Sequence, residues 1–227
     1  MNIEVCSNSV YSVQIAEQLG ASRVELCQNL LEDGLTPRLE LLQEVCESHA
    51  IPIHVLIRPR VGDFFYSTSD LKRIDEAIHQ ALNFPIAGIV VGHMTREKGV
   101  DPALLRHWRT VTQGLELTFH RAFDQVAKPF DVLEDLIEAG FNRILSSGQQ
   151  PTAALGIDLL RDLQKIAGTS LEVMPGGGIN DTNAPLFLDA GFNSIHLSAK
   201  SATHPAHLEP IIDSNILKNV ITLSSKW

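Results

Sequence analysis

Cysteine, methionine and long apolar runs are scarce in this sequence of 227 residues. The three cysteines are too few, and too odd in number, for a secreted domain held by disulfides, so we expect reduced thiols. No stretch approaches the roughly 18 consecutive apolar residues that span a bilayer. The net charge of −9 argues against the clustered Lys and Arg that nucleic acids require. These absences predict a globular protein without a nucleic-acid or membrane partner.

The sequence also shows no signal of a targeting segment or of a linker between domains. The sequence enters a strand-like run at Ile3 with no cationic or apolar leader before it, so we expect a cytoplasmic location. No Ser-, Gly- or Pro-rich tract divides the chain. Residues 1–227 are therefore predicted to form a single domain.

An internal repeat shows how that domain is built. The phrase over residues 19–26 returns, with substitutions, over 139–146 and 190–197. In each copy a helical pattern ends at a glycine and a short β-branched run follows it. This arrangement is typical of the αβ loop in an α/β protein. Buried strand patterns of this kind occur over residues 3–6, 23–27, 53–57, 87–91, 115–120, 143–146, 171–174 and 194–197.

Helical patterns separate these strands, for example over residues 70–82, 129–139 and 153–166. The alternation has a mean period of roughly 28 residues, which predicts parallel strands and, with eight units, a (β/α)8 TIM barrel. No early G-x-G-x-x-G motif supports a dinucleotide-binding fold, so no nucleotide cofactor is expected. Pro205, Pro210 and the β-branched run over 219–222 predict an atypical last unit.

The chemistry of a TIM barrel lies where the strands end, and the first two strands end alike. Successive side chains of a strand point to opposite faces of the sheet. This alternation predicts that Glu4 and Cys6 on strand one, and Glu25 and Cys27 on strand two, point into the barrel. Two close carboxylates cannot both ionise cheaply, so one is expected to have the raised pKa of a general acid or base. Two close thiols could instead hold a soft cation such as Cu(I). Simpler roles stay open, because cysteine is often a small buried apolar residue and a barrel glutamate often pairs with an interior arginine.

Two guanidinium groups follow strand three. Arg58 and Arg60 flank a proline just before Asp63, and such groups bind carboxylate or phosphate in bidentate fashion. This run therefore predicts an anion clamp. The alternative is that Arg58 neutralises Glu4 or Glu25 inside the barrel.

A histidine ends strand five, and an arginine and an aspartate follow it. His120 faces inward at the strand terminus, where it is placed to carry a proton, with Arg121 and Asp124 in the next loop. We predict catalytic roles for His120 and Asp124. The simpler alternative for His120 is a hydrogen-bonded core residue.

Small and glycine-rich segments follow the last three strands. Loops after strands seven and eight form the usual phosphate site of these barrels, because glycine lets backbone N–H groups approach an anion. Together with the arginines, these loops predict a small anionic ligand. The predicted ligand-binding residues here are Gly148, Gln149, Gly176, Gly177, Gly178, His196 and Ser198.

The motifs at these strand ends resemble, in order, those of the CutC family of copper homeostasis proteins. They are R-V-E-L-C, G-L-T-P, I-R-P-R-x-G-D-F, T-F-H-R-A-F-D, S-S-G-Q, P-G-G-G-I and I-H-L-S-A-K. The resemblance runs from Met1 to about Lys200 and implies a cytoplasmic TIM barrel that binds Cu(I) through cysteines. The copper-linked motif falls on Cys27, with Cys6 beside it. Other family motif positions fall on Glu4, Glu25, Arg58, Arg60, Asp63, His120, Arg121, Asp124, Gly148, Gln149, Gly178, His196 and Ser198.

This sequence departs from the family pattern in two places. Val61 stands where the family usually has glycine, and the region after Lys200 lacks the usual basic and aromatic segment. The second departure bears on how the pocket closes and how two subunits of an expected homodimer meet.

Three functional hypotheses remain open at this point. One is a cytoplasmic copper homeostasis protein with Cys6 and Cys27 as Cu(I) ligands, assisted by His120 or His196. Another is a lyase or isomerase for a small phosphorylated or carboxylated compound, with Glu4 or Glu25 as base and His120 as acid. Arg58, Arg60 and residues 176–178 would then hold the anion. The third is a barrel that serves as a dimeric interaction scaffold.

Overall fold

Strands and helices alternate throughout the computed structural model, which describes residues 1–201 and 208–224. Every strand lies where a buried strand pattern predicts one. The strands are β1 (Asn2–Ser7), β2 (Arg23–Leu26), β3 (Ile53–Leu56), β4 (Gly88–Val91), β5 (Glu116–Phe119), β6 (Arg143–Ser146), β7 (Glu172–Pro175) and β8 (Ser194–Leu197).

All strand pairs are parallel and follow the order β7-β6-β5-β4-β3-β2-β1-β8. The remaining gap, between β7 and β8, is bridged by a parallel pairing of Gly176 with His196. The predicted (β/α)8 barrel is confirmed. Because the strands are parallel, all their carboxyl ends open at one face of the barrel, where the loops carry the site.

The helices pack around this barrel. They are α1 (Val10–Leu19), α2 (Leu39–Ser48), α3 (Thr68–Ala81), α4 (Pro102–Val111), α5 (Pro129–Glu138), α6 (Ile157–Ala167), α7 (Ala184–Asp189) and α8 (Ser214–Ser224). None of the helices within the described ranges is both long and apolar enough to cross a bilayer.

The last unit differs from the others in its long connection between β8 and α8. Part of that connection, including Pro205, lies outside the described residues. The β-branched run over 219–222 is helical, although its composition favours strand. Leu217 and Val220 are fully buried, and α8 packs against α1 and α7. Tertiary packing therefore outweighs local propensity here.

The two faces of the strands differ in chemistry. Outward side chains such as Val5, Val24 and Leu26 are fully buried against the helices and form one continuous apolar core. The inward face carries charges instead, including Glu4 and Arg23, both buried. Barrel interiors usually hold branched apolar residues, so this charged interior needs internal partners.

Candidate functional site

Two thiols meet at the ends of β1 and β2. The Sγ atoms of Cys6 and Cys27 lie 3.6 Å apart and both side chains are buried. These two cysteines and Cys46 are free thiols in the structure. The register offsets the two motifs, because Cys6 lies opposite Glu25 and Glu4 lies opposite Arg23. The motifs are thus staggered rather than aligned residue for residue, as the tilt of barrel strands requires.

His196 at the end of β8 joins the two carboxylates. Its Nδ1 lies 2.8 Å from Glu4 Oε1 and 3.5 Å from Glu25 Oε2. Burial alone would lower the pKa of His196, but Glu25, a hydrogen bond with Cys6 and Glu4 together raise it well above its ordinary value. His196 is therefore an imidazolium that lies among two acids and a thiol.

The two carboxylates have opposite protonation behaviour. Burial opposes ionisation of Glu4, but the hydrogen bond with His196 and the charge of Arg23 lower its pKa far below the ordinary value. For Glu25 burial dominates, and the charge of Glu4 adds to it, so its pKa rises to about 7 despite His196 and Arg23. Glu25 Oε2 accepts no hydrogen bond from the described residues. Glu25 thus titrates near neutral pH, as expected for one member of a close carboxylate pair.

Two donor sets for a metal ion adjoin here. One atom each of Glu4, Glu25 and His196 lie within 4.8 Å of one another. The thiols offer a softer pair: two sulfurs bound to one ion at about 2.3 Å with a tetrahedral angle lie about 3.8 Å apart. The Sγ–Sγ distance of 3.6 Å fits that geometry. A soft cation such as Cu(I) prefers the thiols.

Arginines of the barrel interior stabilise this arrangement, and sequence reasoning missed them. Arg23 Nε donates to Glu4 Oε2 at 2.5 Å. Arg143 donates to Glu172 at 2.5 Å and to Glu116 at 2.9 Å. Arg23, and not Arg58, therefore neutralises Glu4. The signal was present, because Arg23 and Arg143 occupy the same position in two copies of the internal repeat.

The two arginines of the predicted clamp form hydrogen bonds with groups of the protein itself. Arg58 donates to the carbonyl oxygens of Glu32 at 2.6 Å, Gly34 at 2.9 Å and Gly62 at 3.1 Å, beneath the ring of Phe64. These bonds join the loops that follow β2 and β3. Their geometry explains the R-P-R motif as a loop anchor as readily as an anion clamp.

Arg60 has a similar structural role. Its guanidinium donates to Asp63 Oδ1 at 2.8 Å and to Asp70 Oδ2 at 3.2 Å. Asp70 also accepts from Ser67, the residue that caps α3. Asp63 and Arg60 thus connect the loop after β3 to the start of α3.

His120 is buried and uncharged. Its Nδ1 accepts from the backbone N–H of Ala122 at 3.1 Å. Burial and the nearby charge of Arg58 lower its pKa to about 3. A neutral imidazole can donate one N–H to a ligand, but it does not hold the extra proton of a general acid near neutral pH. Among the two groups, Glu25 is better matched to proton transfer.

Asp124 organises the loop after β6. Its carboxylate accepts from Ser146 Oγ at 2.6 Å, Ser147 N at 2.9 Å and Arg121 Nε at 2.8 Å. A further bond comes from the backbone of Gln149 at 3.3 Å. With its oxygens engaged in this way, Asp124 is a positioning group in this structure.

Glycines bring the last loops close together. A Cβ on Gly148 would lie 2.2 Å from the carbonyl oxygen of Gly156, so only glycine fits there. A Cβ on Gly176 would lie 3.2 Å from His196 Cβ, which places the loop after β7 directly against the histidine. Ser198 lies half-buried just past β8.

Glu209, which lies beyond β8 in the chain, connects the loops that follow β1 and β2. Glu209 Oε2 accepts from Asn8 Nδ2 and from the backbone N–H of Leu30, both at 3.1 Å. Asn8 and Leu30 follow the two cysteine motifs. This part of the region after Lys200, whose departure from the family pattern bears on pocket closure, therefore lies at the site end of the barrel.

Comparison with known proteins places this geometry in a family. Residues 1–201 match the sequence profile of the CutC family. The chain belongs to the CutC family. A CutC protein of Photobacterium profundum is 38% identical over 209 residues, which cover 92% of this chain and 85% of the relative. One from Yersinia pseudotuberculosis is 42% identical over 200 residues, which cover 87% and 78%.

The fold agrees with this membership. A CutC crystal structure from Streptococcus agalactiae, whose name proposes a copper homeostasis role, superposes with a TM-score of 0.82 at 29% identity. The match covers 87% of this chain and 98% of the other. The CutC match includes every predicted site residue from Glu4 to Ser198, whereas α8 lies beyond it.

Proposed function

We propose that this CutC protein acts in copper homeostasis in the cytoplasm by binding one Cu(I) ion. Cys6 and Cys27 are the ligands, and His196 assists. The observation that carries the proposal is the 3.6 Å distance between the two buried Sγ atoms. A cytoplasmic location accords with it, because thiol ligands must stay reduced.

The surroundings support a soft cation at this place. Thiolates prefer Cu(I) to hard cations. The hydrogen bond from His196 opposes the rise in the pKa of Cys6 that Cys27 and burial cause, and so it favours the thiolate ligand. Leu56 and Val90 pack with Cys6 and Cys27 inside the barrel, and His196 and Glu25 lie beside Cys6. Such a setting keeps water from a bound ion. The copper role in the name of the Streptococcus agalactiae relative agrees with this assignment.

The test is an anaerobic Cu(I) titration against a competing chelator. We expect one equivalent to bind the wild type and none to bind the Cys6→Ser/Cys27→Ser variant. Cys46→Ser is the matched control, since Cys46 is a half-buried free thiol on α2, away from the strand ends. Undiminished affinity in the double variant would overturn the proposal, as would wild-type binding that is lost in Cys46→Ser.

A second candidate is a lyase or isomerase for a small phosphorylated or carboxylated compound. The observation in its favour is Glu25, whose pKa of about 7 and unbonded Oε2 suit a general base beside His196. This candidate requires an anion site within reach of Glu25. Catalysis by Glu25 and binding of copper by the thiols use different atoms of one mouth.

A further inference from the structure

Arg121 presents a fixed positive charge at the opposite side of the mouth. Its Nε donates to Asp124 Oδ2 at 2.8 Å, and its Nη2 donates to Ser147 Oγ at 3.0 Å. Asp124 is itself held by Ser146 and the backbone of Ser147. The side chain of Arg121 nevertheless remains 41% exposed. The guanidinium is thus oriented by the protein while part of it stays accessible to a ligand.

The glycine loop after β7 lies against this guanidinium. Gly177 and Gly178 have φ angles of +109° and +73°, which favour glycine. A Cβ on Gly177 would lie 3.5 Å from Arg121 Cζ and 3.6 Å from its Nη1. The missing side chain therefore leaves the backbone of this loop open beside the arginine.

Backbone donors in the same loop lack an acceptor among the residues that the structure describes. The N–H groups of residues 177–179 make no hydrogen bond within residues 1–201 and 208–224. The flanking N–H groups do: Gly176 donates to Ser146 O and Asn180 donates to Asn183 Oδ1, both at 2.9 Å. Successive backbone N–H groups form a concave site for an anion, and a guanidinium adds charge-assisted bonds.

We propose that Arg121 and the backbone of Gly177 and Gly178 bind the phosphate group of a small phosphate monoester. Two formal charges and three free oxygens match a guanidinium edge together with backbone donors. Gly176 lies against His196, so the rest of the ligand extends across His196 toward Glu25. The site shares no ligand atom with the thiols and does not depend on copper.

Thermal unfolding of the full-length, copper-free protein tests the proposal with three probes. These are inorganic phosphate, glycerol 3-phosphate and succinate, each in a buffer without other oxyanions. A tenfold excess over Kd raises Tm by about 3 to 6 °C in a protein of this size. We expect such a rise with both phosphates and little with succinate. An equal rise with succinate overturns the ligand class, and no rise with either phosphate overturns the site.

Two variants localise the effect. Arg121→Gln should raise the apparent Kd for phosphate, obtained from the rise in Tm, at least tenfold. Arg106 is an exposed arginine on α4, and Arg106→Gln should leave this Kd unchanged. Gly177→Ala should weaken protection too, with Gly191→Ala as control, because Gly191 also has a positive φ but no atoms within 4 Å of an added Cβ. Equal protection of wild type and Arg121→Gln overturns the assignment. Cu(I) binding by Arg121→Gln should stay at the wild-type level, so failure here is distinguishable from failure of the copper proposal.

Discussion

Replacing Glu25 by glutamine should stabilise the protein at alkaline pH. Burial raises the pKa of Glu25 from 4.5 to about 7, so its ionised form is disfavoured in the folded state. Glutamine has the shape of the protonated acid and cannot ionise. The variant therefore removes the cost of holding a carboxylate in the barrel, at the expense of any catalytic role for Glu25.

The size of the effect follows from proton linkage. Below about pH 4.5 the folded and unfolded chains are both protonated at this position, and Glu25 contributes nothing to the pH dependence. As pH rises from 4.5 to 7, only the unfolded chain ionises, and each pH unit lowers the free energy of unfolding by about 1.4 kcal/mol. Above about pH 7 both states ionise, and the full cost of about 3 kcal/mol stays constant.

Urea unfolding of wild type and Glu25→Gln, from about pH 5 to about pH 8, measures this difference. We expect the variant to gain stability relative to wild type as pH rises and to be about 3 kcal/mol more stable at about pH 8. Glu138→Gln, the same change at an exposed position on α5, should show no such trend. A difference that does not vary with pH, or a variant less stable than wild type at the alkaline end, refutes the reasoning.

The barrel interior and the loop after β6 give further expectations. Arg23→Met leaves the fully buried Glu4 with only its histidine partners and should lower the free energy of unfolding by about 3 to 5 kcal/mol in urea melts. Joining it with Glu4→Gln should restore part of that loss, and an exposed Arg161→Met on α6 should cost under about 1 kcal/mol. Asp124→Asn replaces an acceptor oxygen by a donor opposite Ser147 N and Arg121, and should lower stability by about 1 to 3 kcal/mol. Full stability in Asp124→Asn would show that the carboxylate is not the anchor of this loop.

The fold was predictable because its signal is spread along the whole chain. Eight strand patterns and a recurring αβ loop each add to the same conclusion, so errors at single residues do not matter. The proximity of Cys6 and Cys27 followed from neighbouring strands with equal motifs. Their register did not follow, because barrel stagger is a property of the closed sheet and not of either strand.

The site was less predictable where a residue's role depends on distant partners. The spacing of Arg58 and Arg60 is typical of an anion clamp. In the structure their N–H groups donate to carbonyl and carboxylate oxygens of the loops after β2 and β3. Conversely, the sequence assigns no role to Arg23, although it neutralises Glu4. Glu209 reaches the loops after β1 and β2 from the far end of the chain. Local patterns do not encode such long-range pairings.

The charged interior bears on both the proposed thiol site and the proposed anion site. Arg23 and Glu4 form one buried ion pair, and the charges of Glu25 and Glu4 together hold His196 as an imidazolium in the barrel. His196 then separates the thiols at the ends of β1 and β2 from the glycine loop after β7, which lies against its other side. Loss of Arg23 should therefore disturb both sites together, whereas loss of Arg121 or of the two cysteines should disturb one. Such a result would distinguish Arg23, which supports the interior, from the residues that we propose to bind copper and phosphate.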